Sequence, residues 1–131
     1  KKLEKFTKER NKSAKFYDKL FKNNEIFQVP KINSNISHAY HLYPLLINFE
    51  KVSISKKLMF ERALRKKIKL QVHYIPIYLQ KFYKDKYEFK INNFPNSNIF
   101  YSREVSIPIF YKITKEQQIY VKDTLYKLLK L

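Results

Sequence analysis

Among the 131 residues of this chain there is no glycine, where an average usage of about 7% would place roughly nine. The absence removes whole classes of site. A phosphate-cradling loop and a dinucleotide fingerprint both need glycine so that backbone amides can approach the anion, and neither can be built here. Positive φ angles, which cost energy on residues with a Cβ, must fall on Asn or Asp instead. Asn and Asp tolerate them best, and Asn23-Asn24, Asn33, Asn35 and Asn92-Asn93 stand where turns are expected.

The formal charge of +17 invites a nucleic-acid reading. Its distribution argues against one. Lysine supplies 24 of the 28 basic residues and is spread along the whole chain, beside abundant Asn, Ile, Phe and Tyr and only three Ala. That is the signature of AT-rich codons, whereas a phosphate-reading surface favours clustered arginine. No cysteine is present, so disulfides and thiolate chemistry are excluded and a cytoplasmic enzyme component is compatible. No secretory leader is visible, and the uncharged stretch around Leu45 is too short and polar to span a bilayer. At this length one domain with one modest core is expected.

Apolar periodicity predicts a helix from Lys1 to Phe21, with Leu3, Phe6, Ala14, Tyr17, Leu20 and Phe21 near one stripe, closed by Asn23-Asn24. It opens without a cap, which suggests a cut rather than a natural start. Ile26–Val29 reads as extended. Tyr40–Phe49 reads as a buried strand whose Pro44 belongs at an edge or bulge. Ser53 and Ser55 cap a helix over Lys56 to about Lys67, with Phe60, Ala63 and Leu64 inward. Leu70–His73 is a brief strand, and Tyr78–Phe94 is irregular, with a turn of helix near Gln80–Tyr83. Pro95 leads a helix over Asn96–Arg103, Val105–Ile109 is a third strand, and Thr114 to Gln117 is a capping box for a last helix burying Ile119, Leu125 and Leu128. The expected fold is a two-layer α+β domain: Tyr40–Phe49, Leu70–His73 and Val105–Ile109 form one short, mainly antiparallel sheet with helices on one face. The other face should dock against something else.

All three histidines fall in two short segments, Ser37-His38-Ala39-Tyr40-His41-Leu42-Tyr43-Pro44 and Gln71-Val72-His73-Tyr74-Ile75-Pro76-Ile77-Tyr78-Leu79-Gln80. Each sets imidazole and phenol groups at the end of an extended apolar run, which suits a polar small-molecule site. The blander reading of His73 and Tyr74 is a strand-end pair bonded to backbone. Tyr74 and Tyr78, evenly spaced about Pro76, are expected on one side of an extended segment, and His38 and His41 on opposite faces. No carboxylate or cysteine neighbours them, so no metal site is expected. Arg103, at a helix end, reads first as capping helix carbonyls or pairing with a glutamate, and second as meeting a carboxylate or diphosphate. Arg62, Arg65, Lys66 and Lys67 read first as a solvated face.

In order and spacing these stretches resemble the C-terminal portion of the DegT/DnrJ/EryC1/StrS family of sugar aminotransferases. The carriers are Arg10 followed by Tyr17 and Leu20; His41-Leu42-Tyr43-Pro44; His73 to Tyr83; and Phe94-Pro95-Asn96 through Ser102 to Pro108. HLYPLL and QVHYIPI are most similar to the branch that aminates a UDP-linked keto-deoxy-hexosamine in pseudaminic acid synthesis. Tyr78 departs from the family pattern, standing where many relatives carry a second histidine. The resemblance implies that residues 1–131 are the small C-terminal domain of a larger pyridoxal-phosphate enzyme, a homodimer with a nucleotide-sugar substrate and glutamate as amino donor. It implies that the Schiff-base lysine and phosphate cup lie elsewhere, so that this stretch alone is inert and binds no cofactor. His73, Tyr74 and Tyr78 are then expected to contact the sugar nucleotide, with His41 and Arg103 as further contacts. Two rival readings stay open: a basic module stacking single-stranded nucleic acid on Tyr and Phe, and a purely structural lobe that closes a dimer.

Overall fold

The structure, a computed structural model, describes residues 2–131, so the expected helix start at Lys1 lies outside it. Helix α1 spans Lys2–Phe21, strand β1 Phe27–Gln28, strand β2 Tyr43–Ile47, helix α2 Lys56–Arg65, helix α3 Lys81–Lys86, helix α4 Pro95–Arg103, strand β3 Glu104–Ile107 and helix α5 Lys115–Leu129. The sheet order is β1-β2-β3, antiparallel throughout, with Phe27 opposite Ile47 and Tyr43 opposite Ile107. This is the expected two-layer α+β arrangement with helices packed mainly on one sheet face. No helix is long and apolar enough to cross a membrane among the described residues.

The alternation of β2 and β3 builds the core. Tyr43, Leu45, Ile47, Val105 and Ile107 point to one face and pack with Tyr17 and Phe21 of α1, Met59 and Ala63 of α2, and Val121, Leu125 and Leu129 of α5. Each fully buried aliphatic side chain contributes about 1.5–3 kcal/mol of hydrophobic stabilisation. Polar ties fix the helices: Tyr17 donates to the Pro108 carbonyl at 2.9 Å, and Gln118 Nε2 to the Ser13 carbonyl at 2.9 Å. Ser55 caps α2, and Thr114 and Gln117 form the predicted capping box of α5.

Several expectations are corrected. Leu70–His73 is not a strand of the sheet; it makes a single antiparallel bridge, Gln71 with Ser106, and the third strand is β1. Two hydrogen bonds at Gln71 suffice because the chain leaves the sheet edge immediately afterwards. β2 starts at Tyr43 rather than Tyr40, because Tyr40 has a φ of 44° and bends the approach. Its end is at Ile47, where Asn48 caps a 3-10 turn over Phe49–Lys51. Pro44 sits in the central strand, yet without loss of a ladder bond. Its nitrogen faces the same side as the Asn48 N–H, which bonds Ile26, and on that side β1 pairs only from Leu46 onward.

Leu3 and Phe6 are exposed, since the buried positions of α1 begin at Ala14. Leu64 and Ile119 are exposed too, each one residue, hence about 100° around the helix, from the buried Ala63 and Gln118. Among the described residues no asparagine takes positive φ. That region is occupied by Tyr40, Lys67, Lys112 and Lys130. Asparagine instead makes turns through its side chain: Asn24 Oδ1 accepts from Ile26 N–H at 2.9 Å and Asn33 Oδ1 from Asn35 N–H at 3.0 Å. Lys67 and Lys130 take the left-handed position because helix closure demands it. Ile68 N–H bonds the Ala63 carbonyl and Lys67 N–H the Leu64 carbonyl, and Leu131 and Lys130 repeat the pattern at Tyr126 and Lys127.

Candidate active-site cleft

The second face of β3 carries the polar residues. Period-two alternation sets Glu104 and Ser106 opposite Val105 and Ile107, and all four are buried. Ser106 is bracketed by backbone bonds to Gln71, at 3.1 and 2.9 Å, which brings His73 alongside two residues later. Ser106 Oγ donates to Glu104 Oε1 at 2.6 Å, and Glu104 Oε2 accepts from His73 N–H at 3.1 Å. His73 Nδ1 lies 2.9 Å from Ser106 Oγ. A fully buried carboxylate is costly unless its oxygens are hydrogen-bonded, and here both are.

Gln71, His73 and Ser106 form one wall of an open cleft of about 480 Å3 whose lining also includes Arg10, His41 and Lys69, while Glu104 is buried and does not line it. Arg10 Nε is buried and makes no hydrogen bond among the described residues. Two fixed cations and no carboxylate line the cleft, so its field favours an anion. Two imidazoles, a hydroxyl and an amide offer hydrogen bonds to a ligand rich in hydroxyl groups.

The predicted contacts divide. His73 and His41 meet in the cleft. Tyr74 is exposed, its ring edge-on to His73 with centroids 4.8 Å apart. Tyr78 is buried outside the cleft, stacked on Phe94 at 4.4 Å with its hydroxyl donating to Asn98 Oδ1. The two tyrosines therefore do not share a side as expected, because the backbone turns into a 3-10 helix over Ile77–Leu79 and the period of two is lost. Arg103 pairs with Glu50 at 3.5 Å on the surface, an interaction worth about 0–1 kcal/mol. His38 Nδ1 accepts from Tyr40 N–H at 3.0 Å. With Tyr40 bent, His38 and His41 border one shallow groove beside Pro30 and Ile32, not opposite faces. The described residues contain no cluster of three or more metal-ligating groups.

Glu104 and Ser106 were not legible as site residues. The signal available was Glu-Val-Ser-Ile itself, a strand with a carboxylate and a hydroxyl on the face opposite two aliphatics. Arg10 stood only as a marker of resemblance, and Lys69 was one lysine among many.

A pyridoxal-phosphate anchor needs a lysine with a lowered pKa in an accessible, desolvated pocket. Lys56 has the lowered pKa, caused by burial and partly opposed by the charge of Glu104. Its Nζ, however, donates to the Tyr101 carbonyl at 2.6 Å and lies over the Tyr101 ring. The cleft itself contributes Lys69, exposed and without an adjoining phosphate cup. The residues described do not fit the cofactor.

The profile of the DegT/DnrJ/EryC1/StrS aminotransferase family matches residues 1–126. An uncharacterised protein of Methanocaldococcus jannaschii is 38% identical over 128 residues, covering 98% of this chain and 33% of the relative. A UDP-4-amino-4,6-dideoxy-N-acetyl-beta-L-altrosamine transaminase of Campylobacter jejuni is 38% identical over 130 residues, covering 98% of this chain and 34% of the relative. The chain thus spans about a third of the length of the curated relatives it matches. Among solved structures, a Helicobacter pylori aminotransferase involved in the biosynthesis of pseudoaminic acid superposes with a TM-score of 0.83 at 27% identity, over 95% of this chain and 33% of that one. A Streptococcus pneumoniae structure, with a TM-score of 0.84, 20% identity and coverage of 96% of this chain and 31% of that one, shares the fold.

Proposed function

The chain belongs to the DegT/DnrJ/EryC1/StrS aminotransferase family, and on that premise we propose that it is the C-terminal small domain of a pyridoxal-phosphate transaminase acting on a nucleotide-linked keto-deoxy sugar. The carrying observation is the cleft in which Arg10 and Lys69 meet His41 and His73. Such a lining matches a ligand with a diphosphate at one end and sugar hydroxyls at the other. The Campylobacter relative's name supports a UDP-linked sugar substrate, and the likeness to the Helicobacter pylori aminotransferase of pseudoaminic acid biosynthesis supports the pseudaminic acid type.

In this reading Arg10 and Lys69 attract the diphosphate, His73 and His41 hydrogen-bond the sugar or base, and Tyr74 offers an exposed face for stacking. Tyr78 holds the segment in place through Phe94 and Asn98. Pyridoxal phosphate, when bound, supplies the electron sink. Its anchoring lysine and phosphate cup would come from the rest of the protein, and residues 1–131 alone are inactive. Glutamate is the proposed amino donor, a homodimer the proposed assembly and the cytoplasm the proposed location. Tyr74, Ile75, Ile77, Phe82, Tyr87, Phe89 and Ile91 are all exposed. So many exposed apolar side chains in one segment favour a covered surface in the assembled enzyme.

The test uses the full-length protein with a UDP-linked 4-keto-6-deoxy sugar and glutamate. His73→Ala is expected to raise the KM for the sugar nucleotide up to about tenfold, the worth of one neutral hydrogen bond. The glutamate half-reaction should stay nearly unchanged. Wild-type KM and kcat for the sugar half-reaction in both His73→Ala and Arg10→Ala would leave the cleft a structural feature only.

A further inference from the structure

We propose that Glu104 and Ser106 are positioning residues that hold neutral His73 as the Nδ1–H tautomer, so that Nε2 presents a lone pair to the cleft. A serine hydroxyl has one hydrogen to donate. Ser106 commits it to Glu104 Oε1 at 2.6 Å, a separation typical of an O–H bond to an ionised carboxylate. What Ser106 Oγ then turns toward His73 Nδ1, 2.9 Å away, is a lone pair. Only a hydrogen on Nδ1 makes that approach favourable. Glu104 Oε2 accepts the His73 backbone N–H, so one carboxylate fixes both the backbone and, through Ser106, the ring.

The arrangement has little freedom to reverse. Glu104 is fully buried, Ser106 is pinned by two backbone bonds to Gln71, and strand alternation keeps both side chains on one face. His73 Nε2 has no hydrogen-bond partner among the described residues and is not among the buried unpartnered atoms. Neutral His73 is therefore an acceptor toward the cleft. It selects a ligand hydroxyl or N–H, and leaves phosphate oxygens to Arg10 and Lys69. That selection rests on the cleft being the ligand site proposed above; the tautomer does not.

The test is a long-range 1H–15N correlation spectrum of the 131-residue chain with 15N-histidine, recorded without ligand at about pH 8.5, roughly two units above the ordinary imidazole value. Only three histidines contribute, and His73→Gln assigns one of them. The expected result is a protonated Nδ1 and a bare Nε2 at His73. Ser106→Ala should lower the Nδ1–H to Nε2–H ratio by about two- to tenfold, the range of one hydrogen bond, and Ser106→Thr should restore it. Should Ser106→Ala lose the fold, Ser106→Cys, a weak acceptor, replaces it with the same expected shift. A predominantly Nε2–H ring in the wild-type chain, or an unchanged ratio in a folded variant lacking the hydroxyl, overturns the proposal. Since no ligand is present, failure of the sugar-nucleotide reading would show only in the kinetics of the full-length enzyme.

Discussion

The Tyr43 hydroxyl donates to Asp18 Oδ1 at 2.7 Å, tying the first residue of the central strand to the C-terminal half of α1. Tyr43 is fully buried and its ring lies 5.1 Å from that of Tyr17. The bond brings an ionisable group to the edge of the core.

Burial raises the pKa of Asp18 above its ordinary 3.8, and the Tyr43 hydrogen bond only partly offsets it. The folded chain thus holds this proton to higher pH than the unfolded chain. Between 3.8 and the raised value, stability should fall as pH rises, and the loss is complete above the raised value. Urea denaturation across that window should show this contribution in the wild type and not in Asp18→Asn. Equal slopes in both proteins would mean that Asp18 is not a differentially titrating group.

Burial also pushes the phenols of Tyr17 and Tyr43 well above the ordinary value of 10.0, with Asp18 adding to the shift at Tyr43. Stability from these two groups is fully present below pH 10 and lost as pH rises beyond it. Tyrosinate absorbance during an alkaline titration should show both ionising only with unfolding, as followed by circular dichroism. Tyr43→Phe should remove one phenol from that coupled step. Ionisation of both in a chain that stays folded contradicts the assignment.

Leu45 and Leu64 separate core from surface. Leu45 is fully buried in β2, and Leu45→Ala should destabilise by about 2–5 kcal/mol. Leu64 is 63% exposed on α2, and Leu64→Ala should stay within about 0.5 kcal/mol of wild type. Denaturant midpoints decide the matter, and similar losses for both would place Leu64 in a packed interface.

Lys67 closes α2 with a φ of 58°. The left-handed region costs a residue with a Cβ about 1–2 kcal/mol, while glycine adds unfolded-state entropy of about 0.4–1 kcal/mol. Lys67→Gly should therefore stabilise by roughly 0.5–1 kcal/mol, measured by thermal or urea unfolding. A loss of stability would show that the lysine side chain earns its place by contacts of its own.

Local order was legible in the sequence wherever one segment carried its own instruction. Thr114 and Gln117 satisfy each other's backbone groups, Ser55 accepts from Leu58 N–H, and Pro95 opens α4. The alternation Tyr43-Leu45-Ile47 marks β2 because period two separates its faces without reference to any partner. Motif order along the chain likewise carried the family resemblance.

Pairing and direction were decided only in three dimensions. Phe27–Gln28 pairs along one edge of β2, whereas Leu70–His73 makes only one bridge, on the outer edge of β3, and residue types in the two segments are alike. Tyr74 and Tyr78 part company because a 3-10 turn intervenes. The link from Glu104 through Ser106 to His73 joins residues more than thirty positions apart. Hydrogen bonds of that reach depend on where the backbone has already been placed, so no local pattern encodes them. The glycine-free composition set the cost of left-handed residues in advance. At Lys67 and Lys130 helix closure chose where that cost fell, because unpaired carbonyls at a helix end are costlier than a lysine at positive φ.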